Sequence, residues 1–299
     1  MVGKLDSRLR EAVWSWIRIE PRIISAVVFG SQSRSPTAIA GADRWSDIDI
    51  HLIVRSPEGL EGLDWKKVFP AFNLCLNVSR PATGGVQKLT LIFAEGEVDL
   101  IIVPVIKAYL ARLALSSGFY SRVSPIRRTL NLFATILHGG YSFLKGEDSW
   151  GSFYNSVSKL PGFRISETEA ILLADNTLCD LLGFFKKIAR GELIAAQRIL
   201  HNSIIEANII LLHEVRCRNQ VISFQQARRV ESIATAQEIR QISANSTLSK
   251  RELNTAAWNA LDGLIFLMKQ ISPNWTVPFG MQSLLERFRH ATITQGILD

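Results

Sequence analysis

The apolar pattern of this chain changes once, near Pro104, and that change constrains the fold more than any other feature. Before it, apolar residues come in short runs rich in β-branched side chains: Ile23–Phe29 and residues 47–54, 73–78, 87–93 and 98–103. Runs of that length, bounded by turn residues, read as strands. Ala94-Glu95-Gly96-Glu97 joins the last two as an antiparallel hairpin. Leu5, Leu9, Val13 and Trp16 recur at helical spacing ahead of Pro21, and residues 64–72 read as a short helix. Residues 30–46 read as a turn followed by a loop. After Pro104 most of the chain reads as helices, with breaks near 116–125, 146–165, 219–223 and 243–249. Ile171, Leu178, Leu182 and Phe185 form the apolar stripe of one of them. The expected fold is α+β: a mixed-sheet domain with flanking helices over residues 1–110, then a helical bundle over residues 111–299, with no internal repeat.

A chain of 299 residues with 47% hydrophobic and 20% charged residues can bury a core, which excludes global disorder. No apolar run approaches the roughly 20 residues that span a bilayer, so no membrane association is expected. The first residues carry charges throughout and form no apolar segment, so no secretory leader is expected. Cys75, Cys179 and Cys217 lie far apart without CxxC spacing, which reads as reduced thiols in a cytoplasm. The net charge of +7 is concentrated: residues 111–164 carry seven basic and two acidic residues, while the segments on either side are nearly balanced. A basic stretch of this kind suits an anionic ligand, a nucleoside triphosphate or a nucleic acid, and equally a solvated loop.

The residues that carry chemistry are Gly30-Ser31, Asp47-Ile48-Asp49 and Asp99. In a strand, Asp47, Asp49 and His51 share one face while Ile48, Ile50 and Leu52 take the other. Two carboxylates side by side repel unless a cation bridges them, and Mg²⁺ suits hard oxygen ligands whose shell phosphates complete. Asp99 lies in another strand of the same expected sheet and is within reach of that face. Gly30 lets backbone approach a phosphate, and Ser31 can donate to its oxygens. His51 is read as a packed or hydrogen-bonded histidine. The other histidines show no HExxH or Cys/His spacing, which argues against zinc. There is no Walker A loop and no GxGxxG.

GS…DID…VDL resembles the DNA polymerase β-type nucleotidyltransferase superfamily. The stretches FGSQSRSPTAIAGADRWSDIDIHLIV and LTLIFAEGEVDLIIVP are similar to bacterial antibiotic nucleotidyltransferases, first the aminoglycoside 6-adenylyltransferases and next the lincosamide nucleotidyltransferases. The resemblance covers about residues 23–104 and continues more weakly into FFKKIARGELIAAQRIL. It implies an N-terminal nucleotidyltransferase domain and a helical acceptor-binding domain. The enzyme would move a nucleoside monophosphate, AMP from ATP being the expected case, onto a hydroxyl of a small molecule and release pyrophosphate. Gly30 and Ser31 would hold the triphosphate, and Asp47 and Asp49 would bind Mg²⁺. Asp99 would act as third metal ligand, general base or both. Lys186 or Lys187 would reach phosphate oxygens, and Glu192 would face the acceptor pocket or orient a neighbour. Two departures accompany this. The 6-adenylyltransferases carry Arg directly after Gly-Ser, where this chain has Gln32, with Arg34 further on. A pI near 9.5 gives no compositional support for a polycationic acceptor. The alternatives are the same chemistry on tRNA or protein, as in toxin-type members, and a non-catalytic nucleotide-binding module.

Overall fold

The computed structural model describes residues 7–34, 41–43 and 45–294. Two compact units divide the chain, residues 1–163 and 164–299.

Alternation builds the first unit. Its strands are β1 (Ile23–Phe29), β2 (Ile48–Val54), β3 (Leu74–Ala82), β4 (Val86–Phe93), β5 (Gly96–Pro104) and β6 (Tyr141–Lys145), in the sheet order β3-β4-β5-β2-β1-β6. Only β2 and β5 pair in parallel; the other four pairings are antiparallel, so the sheet is mixed. One face carries Ile48, Ile50 and Leu52 of β2 with Val98, Leu100 and Ile102 of β5. Against it pack Leu9, Val13 and Ile17 of helix α1 (Ser7–Ile19), Leu60 of α2 (Pro57–Glu61) and Trp65 of α3 (Trp65–Val68). The opposite face carries Val27, Ile53 and Val103, covered by α4 (Val105–Ser116), α5 (Ser124–Leu137) and α6 (Glu147–Ser158) through Ala108, Leu130, Ala134, Trp150, Phe153 and Tyr154. With both faces covered, the central strands β1 and β2 bury nearly every residue, which is why they read as continuous apolar runs.

Four expectations need correction here. The break after residue 110 falls too early, because residues 111–163 pack on the sheet and contribute a strand to it. Strand β6 lies in a stretch expected to be helical. Its five residues are too few to show a period, and its pairing to β1 is long-range; Gly140 before it and Gly146 after it were the local clue. The segment 146–165, read as a break, contains helix α6. The helix expected over 64–72 shrinks to the four residues of α3.

The second unit is helical: α7 (Glu167–Ala189), α8 (Leu193–Ile199), a π-helical turn at Leu200–Ile205, α9 (Glu206–Arg218), α10 (Val230–Ile233), α11 (Ala236–Ile242), α12 (Lys250–Ile271) and α13 (Phe279–Thr294). Ser166 and Glu169 form a capping box that starts α7. The buried stripe of α7 runs through Ala170, Ala174, Leu178, Leu181, Phe185 and Ile188. Of the stripe read from sequence, Leu178 and Phe185 are in the core, while Ile171 and Leu182 pack at its margin.

Within this core Glu214 is 2% exposed. Its carboxylate accepts from Arg164 at 2.8 and 2.9 Å, from Arg218 at 2.8 Å and from the Ile165 amide at 3.2 Å. Burial pushes this carboxyl up, but the hydrogen bonds and charges of Arg164 and Arg218 outweigh it and hold it below the ordinary glutamate value. A depressed folded-state pKa stabilises above the unfolded pKa, and that stability is lost as pH falls through the folded one. We therefore expect the unfolding free energy to drop as pH falls below about 4.5. Glu214→Gln should cost about 2 kcal/mol at neutral pH and flatten that slope. This is less than the roughly 3–5 kcal/mol of a fully buried pair, because both guanidiniums keep about a third of their exposure. Denaturant unfolding of both proteins between pH 3 and 7 checks this.

Candidate active site

The register of three strands assembles the site. β2 and β5 run parallel with Asp49 beside Asp99 and Ile48 beside Val98, so both aspartates point to the face opposite the Ile48 cluster. Asp47 stands just before β2 and joins them. One carboxylate oxygen from each of Asp47, Asp49 and Asp99 lies within 4.8 Å of the others. Asp99 is buried, while Asp47 and Asp49 are half-buried. Glu97, two residues before Asp99, sits on the same face. Burial raises its carboxyl above the ordinary value, and the charges of Asp99 and Asp47 raise it further.

Strand β1 delivers the Gly30-Ser31 turn to the same place. Phe29 pairs with Asp49, and the chain then turns through a single 3₁₀ turn, Gly30–Ser33. Gly30 has φ +75°, and a Cβ there would stand 2.7 Å from Asp49 Oδ2. Glycine is thus demanded twice, by the left-handed backbone and by the carboxylate beside it. The turn is anchored from below: Ser33 Oγ donates to Gly140 O at 2.7 Å and Arg34 Nε to Gly139 O at 3.3 Å, at the start of β6. Ser31 is 1% exposed, and its hydroxyl has no hydrogen-bond partner among the described residues. An unpaired buried hydroxyl costs free energy unless something occupies its donor.

The hairpin between β4 and β5 adds further polar groups around Asp99 that no local sequence pattern marks. Thr90 opposes Asp99, and Lys88 and Arg80 follow on the same face. Thr90 Oγ1 donates to Asp99 Oδ1 at 2.6 Å and accepts from Arg80 Nη2 at 2.9 Å. Lys88 forms an ion pair with Asp99 Oδ2. The signal for them is the pairing that the two-residue hairpin loop sets: with Phe93 paired to Gly96, counting back puts Thr90 opposite Asp99.

His51 continues the aspartate face into the core. Its ring stacks on Phe133 at 4.6 Å, and Nδ1 shares a 2.7 Å hydrogen bond with Tyr154 Oη. Burial pushes its pKa down to about 3, so the ring is neutral. This is the packed, hydrogen-bonded histidine read from the sequence.

Lys186, Lys187 and Glu192 belong to the second unit, around the turn between α7 and α8. Lys186 is exposed. Lys187 forms an ion pair with Glu192, and Arg190 stands 3.9 Å from the same carboxylate. The Lys187 hydrogen bond holds the Glu192 carboxyl below its ordinary value. Glu192 thus engages a neighbouring lysine within its own unit.

A hard divalent cation fits this donor set: three carboxylates from one sheet face, converging within the span of a single ion, with a buried hydroxyl and a glycine turn beside them. Among the described residues no helix is long and apolar enough to cross a membrane.

No protein-family model matches the chain, and no curated protein does. Among solved structures the chain is similar to an aminoglycoside 6-adenyltransferase from Bacillus subtilis, with 11% identity over 94% of this chain and 96% of that one, at a TM-score of 0.41. It is also similar to a nucleotidyltransferase-like protein from Exiguobacterium sibiricum, with 11% identity over 97% of this chain and 88% of that one, at a TM-score of 0.32. Neither likeness bears on the chemistry, which follows from the residues on the sheet face.

Proposed function

We propose that the protein is a nucleotidyltransferase that moves a nucleoside monophosphate from a nucleoside triphosphate to an acceptor hydroxyl. The observation that carries this is the convergence of Asp47, Asp49 and Asp99 beside the Gly30-Ser31 turn, with the Ser31 hydroxyl buried and unpaired among the described residues. Asp47 and Asp49, with Asp99, would hold Mg²⁺; when bound, the ion would neutralise charge on the phosphates. The Ser31 hydroxyl would donate to a phosphate oxygen that comes against the turn. Gly30, lacking a side chain, leaves room for that approach. Asp99 would accept the proton of the acceptor hydroxyl as its oxygen attacks the α-phosphorus; the bond to pyrophosphate breaks, and the proton passes on to solvent.

The resemblance noted from the sequence supports ATP as donor and a small hydroxylated molecule, an aminoglycoside or a lincosamide, as acceptor. The same resemblance implies that Glu192 serves the acceptor and that Lys186 or Lys187 serves phosphate. The three free cysteines support a reducing, cytoplasmic setting. The basic run over residues 111–164 favours a second reading, the same transfer onto RNA.

A screen of the four nucleoside triphosphates against aminoglycosides, lincosamides and purified tRNA, read by pyrophosphate release and by the mass of the product, tests this. A small molecule heavier by one nucleoside monophosphate is expected. Labelled tRNA, with transfer falling steeply as salt rises, would replace the acceptor and keep the chemistry. Triphosphate binding without any pyrophosphate release would leave a binding module in place of an enzyme.

A further inference from the structure

The reading of Asp47, Asp49 and Asp99 as cation ligands leaves one charge unexplained, and the inference rests on that reading. Asp99 is 1% exposed and has both oxygens engaged within the protein, Oδ1 by Thr90 and Oδ2 by Lys88. Thr90 is itself 2% exposed and braced by Arg80, so its hydroxyl is fixed toward Asp99. Lys88 differs. Its side chain is 32% exposed and reaches Asp99 from a diagonal position on β4, with a flexible stem that lets the ammonium swing away. A carboxylate this buried needs a counter-charge, and Lys88 supplies one to Asp99 from within the chain.

We propose that Lys88 is the resident counter-ion of Asp99, and that it releases this carboxylate and moves onto the phosphate oxygens of an incoming nucleoside triphosphate. A divalent ion alone meets an ammonium of like charge on one of its three ligands. An ion that arrives with a triphosphate brings the anion that accepts this ammonium. Metal and nucleotide are therefore bound together, each strengthening the other by the same factor. Thr90 keeps Asp99 oriented throughout, because its hydroxyl does not compete for the metal's charge.

The test is Mn²⁺ binding, followed by electron paramagnetic resonance, with and without ATP. In the parent, Mn²⁺ alone should bind weakly and ATP should strengthen it. Lys88→Met keeps the stem and removes the charge; without nucleotide it should bind Mn²⁺ on the order of tenfold more tightly, the scale of removing one charge a few ångströms away. Its gain on adding ATP should shrink by a similar factor. Lys88→Arg keeps the charge and should retain the weak nucleotide-free binding of the parent. A Lys88→Met or Lys88→Gln protein that stays folded and binds Mn²⁺ no more tightly than the parent overturns the counter-ion role. Asp47→Asn in each background separates this from failure of the site itself. Mn²⁺ binding that survives Asp47→Asn lies elsewhere and overturns the metal reading on which the proposal stands.

Discussion

Asp49→Asn is expected to lower metal-dependent nucleotidyl transfer by about 10³-fold or more while the protein stays folded. The magnitude follows from what a bound divalent ion contributes to phosphoryl chemistry, several kcal/mol, at about 1.4 kcal/mol per factor of ten. The amide keeps the shape of the side chain and one oxygen, and it removes a negative charge from a face that already holds Asp47, Glu97 and Asp99. Stability should therefore stay within about 1 kcal/mol of the parent. Asp47→Asn should behave in the same way. Turnover and thermal unfolding measured on both variants decide it: near-parental turnover in either protein removes that residue from the metal site.

Gly30→Ala carries the second large effect. The added methyl would lie 2.7 Å from Asp49 Oδ2, so the carboxylate must move, and the backbone at φ +75° is strained for any L-residue. A displacement of this size in a reacting constellation costs about 10²-fold in rate. The strain alone costs about 1–2 kcal/mol in stability. Gly118 separates the two consequences, because it has φ +70° with nothing within 4 Å of a Cβ. Gly118→Ala should lose a similar amount of stability and keep parental nucleotide affinity and rate. Equal losses of activity in the two variants would show that Gly30 matters only to folding.

The aspartate face was legible because strand alternation is a local rule. Once 47–54 and 98–103 are strands, Asp47, Asp49 and Asp99 each have Ile, Val or Leu neighbours that must turn to the core, and the carboxylates follow. That Asp49 and Asp99 stand side by side depends on the parallel pairing of β2 with β5, a contact between segments 50 residues apart that no local pattern specifies. Lys88, Thr90 and Arg80 were missed for a different reason. A lysine, a threonine and an arginine on a half-exposed hairpin are ordinary residues until the pairing aligns them with a buried acid. Strand β6 shows the same limit, since Tyr141–Lys145 becomes a strand through its pairing with β1. In the helical unit the long apolar period was local and legible, whereas the stripe expected on α7 through Ile171 and Leu182 lies at the core's margin because alanines fill much of the buried face.

Calorimetric titration of ATP into the protein, with Mg²⁺ and with the metal chelated, tests the central claim most directly. We expect binding that requires Mg²⁺ in the parent and that is lost in both Asp47→Asn and Asp49→Asn. ATP that binds equally well under chelation, and equally well to the two variants, would contradict a metal-dependent triphosphate site on this face of the sheet.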